Sequence, residues 1–132
     1  MAAVRSKHLV LILAREFASN LATPTLITDE RGCLIFYNEA AEQILGRSFS
    51  EVGEMPLEEW SSQFSPRTVD SEEPLPLEER PTGIALNERR PAQGRIRVTS
   101  VDGVDRDDAV TAFPLFAHTD ELIGTVTIFW RE

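Results

Sequence analysis

The chain has 132 residues and 13 Lys and Arg against 22 Asp and Glu, a formal charge of -9. That length is one ordinary domain, which buries about two-thirds of its unfolded surface, and an acidic balance without clustered bases argues against nucleic acid. The single cysteine, Cys33, excludes an internal disulfide and a cysteine zinc site and points to a reducing compartment, most simply the cytoplasm. His8 and His118 lie too far apart in sequence to suggest a metal site. The charge is uneven. Residues 51–79 hold nine acids and one base, Arg67, so this segment carries -8 and the remainder is close to neutral.

The first element is a helix from about residue 6 to 21. Its apolar run Leu9–Ala14 has only six residues before Arg15 and Glu16, far below the roughly 20 needed to cross a bilayer. No small-x-small cleavage site follows, so neither membrane insertion nor secretion is expected. Leu9, Leu13, Phe17 and Leu21 recur at i+4 as one stripe. Val10, Ile12 and Ala14 widen the apolar surface beyond one face, so the helix wants a second surface, from its own domain or from a partner subunit.

Thr23-Pro24 breaks this helix. The runs Thr25–Thr28 and Cys33–Tyr37 flank Asp29-Glu30-Arg31-Gly32, a turn in which Gly32 supplies a positive φ, so residues 24–38 read as a hairpin. Asn38 caps a helix carrying Ala41, Ile44 and Leu45, and Gly46 closes it. Residues 47–76 lack periodicity and read as short helical turns and loop, with Met55, Leu57, Trp60 and Phe64 as apolar anchors. A further helix starts with Pro81 in its first turn and runs to about Glu88. Three strands follow, over about 95–100, 109–117 and 122–131, with residues 101–108 as a hairpin tip and Pro114 marking an edge or a bulge. The class is therefore α+β, with five antiparallel strands and the helices grouped between the second and third.

Three stretches in this order resemble the PAS domain, a sensor module of bacterial signalling proteins: LITDERGCLIFYNEAAEQILGRS, EPLPLEERPTGIAL, and VTSVDG followed by VTAFPLF and ELIGTVTIFWRE. The resemblance covers about residues 10–132. It implies strand order 2-1-5-4-3, short helices over one face enclosing a pocket, and an N-terminal helix (residues 1–22) covering the other face of the 23–132 core and often dimerising. It further implies a sensory module within a larger regulatory protein such as a sensor kinase or transcription regulator, not an enzyme. The end of the chain directly after the last predicted strand fits a segment of a longer protein. The family usually closes with an Asp-Ile-Thr-Glu type sequence, of which Phe129-Trp130-Arg131-Glu132 keeps only the acid.

Haem and flavin, the best-known PAS cofactors, are not expected. Residues 77–90 contain no His, Met, Cys or Tyr for haem, and Cys33 opens a strand, whereas the light-sensing branch carries its cysteine on the middle helix. A small organic ligand stays open, with no cofactor assigned. Strand parity and helix faces nominate Ala41, Leu45, Ile84, Ile96, Val98, Val110, Ala112, Val126 and Ile128 as pocket positions, with Tyr37 and Asn38 as polar contacts. The same residues would equally fill an ordinary core. Leu9, Leu13, Phe17 and Leu21, with Phe129, are candidate homodimer contacts. Two other readings are a small α+β pocket enzyme of isomerase or dehydratase type, which needs a buried acid or base facing the pocket, and a structural dimerisation domain with a filled core. The acid-rich segment, placed beside the pocket mouth, predicts that anionic ligands are disfavoured there.

Overall fold

The computed structural model describes residues 2–64, 66–71, 73–100, 102–118 and 120–131, and of these residues 2–8 and 64 by backbone alone. His8 and Phe64 therefore lie outside the described side chains. Helix α1 spans Ala2–Ser19. It stops short of Leu21 because Asn20 and Ser19 turn back on it: Asn20 Nδ2 and Ser19 Oγ both donate to the Glu16 carbonyl, at 2.8 and 2.9 Å. These side chains take a carbonyl that the next turn of helix would have satisfied.

Strands β1 (Thr25–Asp29) and β2 (Leu34–Tyr37) form the predicted hairpin. Asp29 Oδ1 accepts the backbone N–H of Arg31 at 2.9 Å and of Cys33 at 3.0 Å, and Gly32 takes φ 87°, so both turn residues act as their chemistry dictates. Asn38 caps a 3₁₀ turn, Glu39–Ala41, that runs into α2 (Glu42–Leu45), and Gly46 ends α2 at φ 82°. The acidic segment folds into α3 (Phe49–Val52), α4 (Leu57–Phe64), the two-residue strand β3 (Arg67–Thr68) and a 3₁₀ turn, Leu77–Glu79. Helix α5 (Pro81–Glu88) matches its predicted limits, with Pro81 in the first turn. Strands β4 (Ala92–Thr99), β5 (Asp105–Ala117) and β6 (Glu121–Arg131) complete the chain.

The six strands form one antiparallel sheet in the order β2-β1-β6-β5-β4-β3. This is the expected five-strand order with β3 added outside β4. Strand β5 starts four residues earlier than predicted, so Asp105–Asp108 belong to the sheet and not to a hairpin tip. At Gly124 the β1 backbone comes so close that a Cβ would stand 2.0 Å from the Thr28 carbonyl oxygen, which leaves no room for any other residue.

Each face of the sheet has its own core. On one face Ala18, with Leu11 and Ala14, sets α1 against Ile27, Val126 and Ile128. On the other, Leu26, Ile96, Val98, Val110 and Phe129 meet Tyr37, Ala41, Ile44, Met55 and Trp60 from the helical side. This division corrects the predicted parity of β6. Val126 and Ile128 belong to the α1 side rather than to the pocket side, and Phe129, nominated for a dimer contact, is 3% exposed and points into the helical-side core. The inward row of β6 is instead Thr125, Thr127 and Phe129, paired with Thr28, Leu26 and Val110 on the neighbouring strands.

Candidate ligand site

Between the inner sheet face and the helices lies a cavity of about 20 Å³, room for about one water. Its sheet wall is Leu26, Ile96, Val110, Thr127 and Phe129; its helical wall is Trp60 with Pro66, Arg80, Pro81 and Thr82. Trp60 is fixed by its indole N–H, which donates to the Gly32 carbonyl at 2.8 Å. Thr82 and Thr127 join hydroxyls across the cavity wall at 2.6 Å. A second hydroxyl pair, Thr28 and Thr125 at 2.7 Å, lies further along the same face.

Beyond α4 a second, larger cleft of about 350 Å³ is lined by Tyr37, Leu45, Arg47, Val52, Met55, Glu59 and Gln63. Glu59 and Trp60 are consecutive on α4, one facing the cleft and the other the cavity, so α4 is the partition between the two spaces. Tyr37 donates its hydroxyl to the Arg47 carbonyl at 2.8 Å, and burial, with Glu42 and Glu51 nearby, pushes its phenol pKa up.

The nominated residues separate accordingly. Ile96 and Val110 line the cavity, Tyr37 and Leu45 line the cleft, and Ala41 and Val98 pack in the core between sheet and helices. Ala112 is fully buried on the inner sheet face opposite Thr127. Ile84 is half-buried and takes no part in either space. Asn38 has nothing left to offer a ligand, because its whole amide is engaged with backbone. Its Oδ1 accepts from the N–H of Thr25 and of Ala41, both at 3.1 Å. Its Nδ2 donates to the carbonyls of Thr23, Ala18 and Leu21 at 2.8, 3.0 and 3.3 Å. It thus ties the end of α1 to the start of β1 and to the helical side at once.

Three features escaped the sequence. The first two are the cavity-lining roles of Trp60, from the stretch without periodicity, and of Arg80, just after it; the third is a buried ion pair. Arg106 and Asp108 alternate inward on β5, opposite Val98 and Ile96. Their side chains are 7% and 0% exposed, and the guanidinium donates three hydrogen bonds to the carboxylate at 3.0–3.2 Å. Asp108 is an acid on the inner face, but Arg106 occupies both its oxygens and it does not line the cavity.

Cys33 does not fit the role of a flavin-reactive thiol. It sits at the β1–β2 turn and lines neither space, and burial, then Asp29 and Glu54, push its pKa up and so keep it protonated. His118 occupies a turn with φ 58°, and among the described residues no group of His, Cys, Asp and Glu could hold a metal ion. No helix among them is long and apolar enough to cross a membrane.

The outer face of the β4–β5 hairpin carries half-buried charge pairs, of which Asp105 alone is exposed. Arg97 binds Asp107 through two hydrogen bonds of 2.7 and 3.1 Å, and Asp105 accepts from Thr99 and Arg67 at 2.7 and 3.0 Å. These donors hold both carboxyls below their usual pKa. A depressed native pKa stabilises the fold above the unfolded carboxylate value of about 3.9 and stops doing so as pH falls through the lower native one. Hydrogen exchange measured down a pH series is therefore expected to show the hairpin amides losing protection, relative to those of β1 and β6, only below that ordinary carboxylate range.

The PAS fold family model matches residues 13–131. A search of curated proteins by sequence finds no match. Among solved structures the chain is similar to the PAS domain of Bordetella pertussis BvgS at 17% identity and TM-score 0.63, covering 92% of this chain and 84% of that one. It is similar to a PAS domain from Colwellia psychrerythraea at 18% and 0.62, covering 93% and 97% of the two chains. A third is the PAS domain of nitrogen regulation protein NR(II) from Vibrio parahaemolyticus, at 20% and 0.61 with 91% and 98% covered. Identities this low speak to the fold, and fold, strand order and family match agree: the chain belongs to the PAS fold family.

Proposed function

We propose that the chain is the sensory module of a larger regulatory protein, such as a sensor kinase or a transcription regulator, and that it dimerises through the outward face of α1 in response to a small ligand or a protein partner. The carrying observation is on α1 itself. Leu9, Ile12, Leu13 and Phe17 are each more than half exposed on one side of a helix whose other side is buried against the sheet. A contiguous apolar stripe of this kind on a soluble domain marks an interaction surface. The stripe and the ligand side meet at Asn38, whose amide holds both the Ala18 carbonyl of α1 and the Ala41 N–H of the helical side. Family membership and the regulatory protein among the solved relatives support the same reading.

Light scattering across a concentration series tests the dimer. The wild type is expected to associate, and Leu13→Glu with Phe17→Glu to give a monomer with an unchanged far-ultraviolet circular dichroism spectrum. A wild type that stays monomeric at high micromolar concentration overturns the dimer. A second reading, a structural dimerisation domain with a filled core, is favoured by the small cavity. It predicts no thermal shift with any member of a metabolite panel.

A further inference from the structure

Arg80 stands out at the border of the acid-rich segment. Its side chain is half-buried, it lines the cavity, and among the described residues no carboxylate lies within ion-pair reach of it. Its partners are main-chain carbonyls: Nε donates to Leu75 at 3.0 Å and Nη1 to Ser61 at 3.3 Å, while Nη2 has no acceptor among the described residues. Burial lowers the pKa of this cation, against a smaller opposing pull from Glu78, and a cost of that kind is offset by hydrogen bonds or by an opposite charge. A second donor faces the same space. Thr82 and Thr127 are 6% and 1% exposed and share one hydrogen bond, so one of their two hydroxyl protons has no acceptor among the described residues.

We propose, building on the sensory reading above, that Arg80 and the Thr82–Thr127 hydroxyls make the cavity a receptor for a small apolar monocarboxylate, which opens the site by drawing Arg80 away from α4. The guanidinium fork matches a carboxylate through two parallel hydrogen bonds. The rest of the wall, Leu26, Ile96, Val110 and Phe129, is apolar and suits a short hydrocarbon tail. The acid-rich surroundings select a single negative charge over a dianion such as phosphate. This refines the expectation drawn from charge alone: anions are disfavoured at the mouth, while one cation waits inside.

The opening step follows from what Arg80 holds. Ser61 lies in the last turn of α4, and the bond from Arg80 to its carbonyl ties that end of the helix to the 3₁₀ turn before α5. A cavity of about 20 Å³ does not admit even a short acid while Trp60 stays in place. A carboxylate that engages Nη1 releases this tie, and α4 then moves outward and joins the cavity to the cleft of about 350 Å³ on its far side.

The test uses Trp60 as its own reporter. The sequence has two tryptophans, and Trp130 is 48% exposed, so Trp130→Phe leaves Trp60 as the only indole. Fluorescence of this protein is titrated with unbranched acids from propionate to octanoate and with their primary amides. Acids are expected to give a saturable change, with amides at least tenfold weaker, Arg80→Gln at least tenfold weaker for acids, and Arg80→Lys between the two. Equal binding of acids and amides overturns the role of Arg80 while leaving the sensory reading intact. No response to either class overturns the receptor, and the dimer measurement then judges the sensory reading separately. Should Arg80→Gln fail to fold, the acid-to-amide ratio decides alone.

Discussion

Replacing Asn38 by Ala is expected to lower the unfolding free energy by about 3–5 kcal/mol, one of the two largest effects of any polar substitution in this domain. Asn38 is 2% exposed and makes five hydrogen bonds with backbone groups of three separate segments. Alanine removes every one of these bonds at once; the Ala41 N–H and the Ala18 and Thr23 carbonyls keep a second partner, and each group without one carries its own desolvation cost. Asn38→Asp is the informative comparison. The carboxylate keeps the two bonds accepted by Oδ1 but puts an acceptor where three carbonyls need a donor, so this variant is expected to fall close to the alanine one. Chemical denaturation measures both. An Asn38→Ala protein within about 1 kcal/mol of wild type, the scale of a single ordinary hydrogen bond, would show that α1 is held by its apolar contacts alone.

The second large effect is at the Arg106–Asp108 pair. Asp108→Ala is expected to cost about 3–5 kcal/mol, because it leaves a nearly buried guanidinium without its partner. Replacing both residues, as Arg106→Met with Asp108→Leu, is expected to recover most of that loss, since removing two buried charges together removes both desolvation penalties. The comparison separates two roles. A double variant as unstable as the single one would mean that the three hydrogen bonds themselves hold the start of β5, and that apolar packing does not replace them.

The fold was legible in the sequence wherever local chemistry is decisive. Asp29 and Gly32 specify the β1–β2 turn, Asn38 and Gly46 bracket the first short helices, and Pro81 begins α5 where the structure places it. What was illegible has two physical causes. From Ile123 to Phe129 every residue of β6 is buried, because the strand lies mid-sheet with cores on both faces. Alternation of polar and apolar residues therefore carries no information there, and threonines, not Val126 and Ile128, face the helical side. Over Asp105–Asp108 the opposite holds. Both faces carry charge, the outer partly exposed and the inner paired in the interior, so the start of β5 looks like a solvated loop. The candidate site suffers from the same limits. Its sheet wall follows from alternation only on β4 and β5, and its helical wall comes from the aperiodic stretch and its border, which contribute Trp60 and Arg80.

Pro114 shows how the sheet treats its own margin. Strand β4 accompanies β5 only as far as Ala112, and from Phe113 to Ala117 the strand neighbour of β5 among the described residues is β6 alone. Proline sits within strands where its missing N–H faces away from the ladder, which at 114 is the side β4 has left. The stretch is otherwise well suited to recruit a foreign strand, with Phe113, Leu115 and a 37% exposed Phe116 close together. A proline in its midst breaks the template such a strand would copy. The residue that reads as an irregularity in β5 is, in terms of solubility, a guard against fibrillar self-association where the strand has no second strand neighbour.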